Sequence, residues 1–273
     1  MNTMFYHAKN GTIKVDNTDM DYIVFGNGNK NLLMIPGLGD GLKTAKGMAI
    51  PFALMYRKLA KDYRVYVISS RNKMSEGFTT KDMAKDISFA LEQLGVDAIS
   101  VVGVSQGGMI SQYLAIDYPE KIEKLILTVT LSKQNEVVQN VVRNWIEMAK
   151  KNDYKSIMID TAEKSYSEDY LKKSRWMYSL LGNVGKPKNF ERFLIMAQAC
   201  LTHNAYDELE KINCPTLILG GKKDKIVTGE ASIELSNQIP NSELYMYDDY
   251  GHGAYEEAKD FLDRIIEFLD LKL

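Results

Sequence analysis

Short apolar runs and longer amphipathic stretches take turns along this chain, and their two periods predict a layered fold. Residues 12–15 and 22–25 carry the alternation of a first hairpin, and 32–35 is a short, continuously apolar third strand. A helix over 50–60 follows, with Pro51 in its first turn, where a missing N–H costs nothing. Residues 65–68 form the next strand. Over 79–94 apolar residues recur at Met83, Ile87, Ala90, Leu91 and Leu94, with Thr79 and Asp82 spaced as a capping box and Gly95 placed as a stop. A strand at 99–102 leads into a helix over 109–118, halted by Pro119, and a strand at 122–129 comes next. Towards the end, the apolar run from Cys214 to Gly220 and Gly221 reads as a buried strand and 243–247 as another. Ala258, Phe261, Leu262, Ile265, Ile266 and Leu269 make the stripe of a final amphipathic helix. Continuously apolar strands alternating with helices imply an α/β fold, with a mostly parallel sheet of about eight strands covered on both faces.

Between 131 and 206 the alternation stops. Helical patterns follow one another at 137–150, 156–165, 169–181 and 190–201, with no convincing strand among them. This segment is expected to be a helical cap inserted after the sixth strand, with 1–130 and 207–273 forming the core, roofing the cleft and excluding water. Trp145, Trp176, Met148, Met158, Met177 and Met196 fall in it and are expected to form the cap's own core.

Composition changes the picture mainly by exclusion. With 273 residues, 45% of them hydrophobic, the chain can bury one large core. The 34 Lys and Arg against 36 Asp and Glu leave a net charge of -2, so no global field recruits nucleic acid or an anionic membrane. The two cysteines, Cys200 and Cys214, fit a reducing compartment. The first seven residues lack a basic segment followed by an apolar core, and no apolar run reaches the length of about 18 residues that spans a bilayer. A cytoplasmic location is the resulting expectation; oligomeric state stays open.

Candidate chemistry centres on Gly103-Val104-Ser105-Gln106-Gly107, between the strand at 99–102 and the helix at 109–118. A strand that turns sharply into a helix strains the residue at the turn and crowds its flanks. Gly-x-Ser-x-Gly in this context therefore predicts a nucleophile elbow. The serine needs a base, and there are three histidines. His7 precedes the first strand and reads as a surface residue; His203, in Thr202-His203-Asn204, reads as a solvated loop residue. His252 lies between Gly251 and Gly253, which let a loop carry an imidazole to another side chain, and an imidazole can take a serine proton near neutral pH.

Asp224, just past the carboxyl end of its strand, is the predicted acid that orients His252, since catalytic groups gather at that edge of an open α/β sheet. Asp248 and Asp249, on the histidine's own loop, are its rivals. Two backbone N–H groups would complete an oxyanion hole: that of Gln106, and that of Leu38 in the flexible-looking loop Pro36-Gly37-Leu38-Gly39-Asp40-Gly41. The glycines of that loop do not have a phosphate-binding spacing, and no cofactor or metal is expected.

With the order Ser105, Asp224, His252, the chain resembles the capped α/β-hydrolase superfamily, in the branch of small esterase-like, perhydrolase-like and C–C hydrolase-like enzymes. The resemblance runs from about Gly11 to the C-terminus and departs in three places. Pro36 stands where many members have histidine, Ser69-Ser70-Arg71-Asn72 replaces the usual aspartate- and glycine-rich turn, and Thr228 sits where a proline often follows the acid. The expected activity is hydrolysis of a small ester or related acyl compound. C–C bond cleavage or cofactor-free perhydrolysis by the same triad is the alternative, and a slow-turnover ligand receptor on this fold is a third possibility.

Overall fold

The computed structural model describes residues 5–271; residues 1–4, where the N-terminal reading begins, and 272–273 lie outside the described residues. The strands are β1 (Lys9–Val15), β2 (Thr18–Phe25), β3 (Lys30–Ile35), β4 (Tyr63–Ile68), β5 (Ile99–Val104), β6 (Ile122–Thr128), β7 (Thr216–Gly221) and β8 (Ser242–Tyr247). They form one sheet in the order β1-β2-β4-β3-β5-β6-β7-β8. The β1–β2 hairpin and the β2–β4 pair are antiparallel, and the pairs from β3–β4 through β7–β8 are parallel.

Because successive residues of a strand point to opposite faces, each strand feeds two cores. Leu33, Ile35, Tyr66, Val101, Leu125, Leu127 and Ile218 pack on one side of the sheet, and Leu32, Met34, Val65, Val67, Val102, Ile126 and Leu219 on the other. The second face is covered by α1 (Ala49–Met55), α2 (Leu59–Asp62), α10 (Ala254–Glu257) and α11 (Phe261–Asp270). The first is covered by α3 (Thr80–Gln93) and α4 (Gln106–Asp117). Thr79 and Asp82 do form a capping box at the start of α3, and Gly95, at φ +65°, follows its other end.

Between β6 and β7 four α-helices follow one another: α5 (Glu136–Lys150), α6 (Tyr154–Ser165), α7 (Glu168–Leu181) and α8 (Glu191–Thr202). The amphipathic α5 buries Val138, Val141, Val142, Trp145 and Ala149, and Trp145 Nε1 donates to Asp160 at 2.7 Å. Trp176 and Met177 do not join that core as expected: they lie on the outer side of α7, 64% and 37% exposed. No helix among the described residues is long and apolar enough to cross a membrane.

The elements differ from the pattern in a few places. The helix expected at 50–60 is broken into α1 and α2, because the backbone leaves the helical region at Tyr56, with φ −98° and ψ 30°. The final stripe lies in α11 from Phe261 onward, with Ala258 in the gap between α10 and α11. A helix not anticipated, α9 (Gly229–Gln238), connects β7 to β8. Its apolar positions are sparse, and Ile233 is exposed, so the pattern carried little periodic signal.

Candidate active site

Three loops leave the carboxyl ends of the parallel strands β5, β7 and β8, and each delivers one of the predicted residues. Ser105 stands at the sharp turn from β5 into α4, with φ 55° and ψ −118°, a conformation costly for any residue but glycine. Its surroundings enforce the turn. A Cβ on Gly107 would lie 2.0 Å from the Ile35 carbonyl oxygen, and one on Gly103 would lie 2.3 Å from Ser111 Oγ. The backbone of Ser105 is held from both sides: its N–H donates to the Thr128 carbonyl at 2.9 Å, and its carbonyl accepts the Thr130 hydroxyl at 2.7 Å. Helix α4 starts at Gln106, three residues earlier than its apolar pattern, because Gly107 and Gly108 fill its first turn.

Asp224 lies three residues past β7 and is buried. Its Oδ1 accepts the N–H groups of Ile226 and Val227 at 2.8 and 3.0 Å, which leaves Oδ2 for His252 Nδ1, 2.8 Å away. Burial by itself would raise the pKa of this carboxyl. The nearby imidazole and the hydrogen bonds from His252, Val227 and Ile226 outweigh it and leave Asp224 below the ordinary carboxylate range. A carboxylate only accepts, so Nδ1 carries the imidazole proton and Nε2 keeps its lone pair. The rivals are elsewhere: Asp248 pairs with Lys222 and Asp249 with Lys223, all exposed. Thr228, at φ 73°, holds a backbone that proline, fixed near −65°, does not adopt, which accounts for the missing proline.

The Pro36–Gly41 stretch is more ordered than a flexible loop. Residues Leu38–Gly41 form a 3-10 turn, and a Cβ on Gly37 would lie 3.3 Å from Ser105 Cβ and 3.8 Å from its Oγ. Leu38 opens that turn and Gln106 opens α4, so neither N–H has an acceptor within its own helix. Sequence reasoning missed the groups that pin this turn, Asp40 and Arg192 of α8. Nothing local to either residue announces the pairing, since 152 positions separate them.

Beside the turn runs a groove of about 660 Å³. Met34 and Val67 line it from the sheet, Phe52 from α1 and Tyr56 just past its end, and Phe261 and Leu262 from α11; Gly37 and Val104 bring it next to Ser105, which does not itself line it. Its charged lining residues, Glu256 and Lys259, are exposed. Among the described residues, no group of three or more His, Cys, Asp or Glu is placed to hold a metal ion.

His7 is exposed, as expected, but His203 is not a solvated loop residue. It is 2% exposed, with Nδ1 2.9 Å from Thr80 Oγ1 and its ring edge-on to Tyr113. Burial pulls its pKa down to about 3. In the unfolded chain an imidazole titrates near about 6.5, so as pH falls the unfolded state takes up the proton first. Its contribution to stability is therefore whole above that value and shrinks as pH falls towards the folded one. Between about pH 6.5 and 4.5 the wild type should lose about 2 kcal/mol more than His203→Gln, which keeps a polar partner for Thr80 without titrating. Urea unfolding at both pH values measures it, and equal losses would refute the assignment.

An eight-stranded, mostly parallel sheet, a serine elbow and a buried histidine–carboxylate pair at one sheet edge together define a hydrolase fold. The sequence model for the alpha/beta hydrolase fold matches residues 30–259, and the chain belongs to that family; it is an enzyme of the hydrolase class. The 2-hydroxy-6-oxononadienedioate/2-hydroxy-6-oxononatrienedioate hydrolase of Burkholderia vietnamiensis is 24% identical over 96% of this chain and 97% of its own. Among solved structures, MGS-M2, an alpha/beta hydrolase enzyme from a Medee basin deep-sea metagenome library, superposes with a TM-score of 0.86 at 20% identity, covering 96% of this chain and 98% of its own. The enol-lactonase from Burkholderia xenovorans LB400 gives 0.80 at 18% identity, covering 96% and 100%.

Proposed function

We propose that this chain is a serine hydrolase that cleaves a small ester through an acyl-enzyme. The observation that carries this reading is the buried 2.8 Å hydrogen bond from His252 Nδ1 to Asp224, on the same sheet edge as the strained Ser105. Asp224 holds the imidazole with Nε2 as base. Nε2 takes the Ser105 proton as Oγ attacks the carbonyl carbon, then gives it to the departing alcohol. Water, deprotonated by the same nitrogen, attacks the acyl-enzyme and releases the acid. The N–H groups of Leu38 and Gln106 hold the oxyanion, helped by the positive end of α4.

Helices α5 to α8 are the cap over this cleft, and the groove between α1 and α11 takes the acyl group. Its apolar lining and exposed charges favour an uncharged chain. A second reading, C–C bond hydrolysis, is favoured by the relative from Burkholderia vietnamiensis, whose name gives a dienedioate as its substrate. A panel of esters, thioesters and lactones of graded chain length, run beside that dienedioate, separates the two. Ester turnover with stoichiometric fluorophosphonate labelling of Ser105 is the expected result. Turnover of the dienedioate alone would favour C–C cleavage, and stoichiometric binding without turnover would make the fold a ligand receptor.

A further inference from the structure

The turn that carries Leu38 is gripped from α8. The Asp40 side chain is buried, and its Oδ2 accepts the Ser70 N–H at 3.0 Å. Arg192 closes over the same group. Its Nη2 pairs with the Asp40 carboxylate, Nη1 donates to the Asp40 carbonyl, Nε donates to the Arg71 carbonyl at 3.0 Å, and Nη2 also donates to the Ser70 carbonyl at 2.8 Å. The Arg192 and Asp40 side chains are only 12% and 2% exposed. Ser70 and Arg71 belong to the turn after β4, where the sequence departs from the family pattern.

Helix α8 reaches the other half of the site as well. A Cβ on Gly41 would lie 2.9 Å from Phe193 Cα and 3.3 Å from Met196 Sδ, so the turn is seated directly on the helix. The Met196 carbonyl accepts the Gln106 side-chain amide at 2.6 Å. One helix thus touches the segment that carries the Leu38 N–H and the residue that carries the Gln106 N–H.

We infer that Arg192 is a positioning residue for the oxyanion hole, acting through Asp40 and the 3-10 turn Leu38–Gly41. A buried ion pair is a poor source of stability, since desolvation cancels most of the attraction. A guanidinium is instead a rigid fork of donors, and here it spends them on three carbonyls and a carboxylate that fix one short turn relative to the sheet. The gain is geometric. Displacing an oxyanion donor by about 1 Å can cost about 10²-fold in rate, on the order of removing the donor outright. The inference rests on the serine-hydrolase reading.

The experiment compares Arg192→Met and Arg192→Lys with the wild type on a short ester, normalised to the Ser105 titrated by a fluorophosphonate. For Arg192→Met, kcat should fall about 10²-fold with KM changed less than about threefold. Affinity for a trifluoromethyl ketone, whose adduct on Ser105 places an oxyanion in the hole, should fall in parallel, while affinity for the product acid stays. Arg192→Lys keeps the charge and loses the fork, and should fall between the two. Unchanged kcat and ketone affinity in either folded variant would overturn the inference, as would a loss that disappears on normalisation. A wild type without ester turnover would instead sink the hydrolase reading. Amide exchange over residues 38–42 then still reads the clamp, and exchange no faster in Arg192→Lys would refute it.

Discussion

Replacing Ser105 with alanine is expected to remove turnover by on the order of 10³-fold or more on every ester the wild type accepts, and to abolish fluorophosphonate labelling. The size follows from the elbow. The strained turn aims one Oγ out of the sheet edge, and the crowding by Ile35 and Ser111 leaves room for no other side chain at the flanking glycines. What survives is catalysis by binding and by the oxyanion hole, which do not need the nucleophile. Stability should barely move, because the serine hydroxyl makes no capping hydrogen bond to α4 and the residue is only half-buried. Labelling or turnover that persists at wild-type level in Ser105→Ala would dismiss this serine.

Asp224→Asn is the second large effect. The substituted oxygen can still accept the Ile226 and Val227 N–H groups, so the loop keeps its shape, but the amide nitrogen then faces His252 Nδ1. The imidazole must turn its other tautomer towards Ser105, and the charge that stabilises the imidazolium is gone. In a triad this costs about 10⁴-fold in kcat, and at least about 10²-fold is expected here with little change in Tm. Asp248→Asn and Asp249→Asn break only exposed pairs with Lys222 and Lys223, and should each lose less than about tenfold. Steady-state kinetics on the three variants decide the matter; the reverse ranking would move the acid to the His252 loop.

The residues whose chemistry is local were legible in the chain. Gly103 and Gly107 mark the elbow because only a missing Cβ fits there, and Asp224 and His252 announce themselves by standing just past strand ends. Partnerships across distance were not. Arg192 lies in the helical pattern at 190–201 and Asp40 in the loop Pro36–Gly41, 152 positions apart, and only the folded chain brings them together. His203 failed for a related reason: Thr202 and Asn204 suggest solvent, while the partners that bury it, Thr80 and Tyr113, come from α3 and α4. Trp176 failed in the opposite sense, since size and apolarity predict burial, yet its place on α7 is determined by what that helix packs against.

The four helices between β6 and β7 are stitched to the core at two ends. Arg192 grips the turn beside Asp40. Where α6 meets α7, the Ser165 carbonyl accepts the Gly253 N–H at 2.7 Å, the Ser167 N–H donates to Glu257 at 2.9 Å, and the Tyr166 hydroxyl donates to Glu256 at 2.6 Å. Domains part cleanly where few contacts cross, and here charged and hydrogen-bonded ones do. The segment is consequently not a removable module: excising residues 131–206 and sealing the gap would take away Arg192 and the α8 seat of Gly41 together, and leave the Leu38–Gly41 turn without the contacts that fix it. Any transplant of foreign helices onto this sheet must bring its own replacement for Arg192, or change Asp40 at the same time.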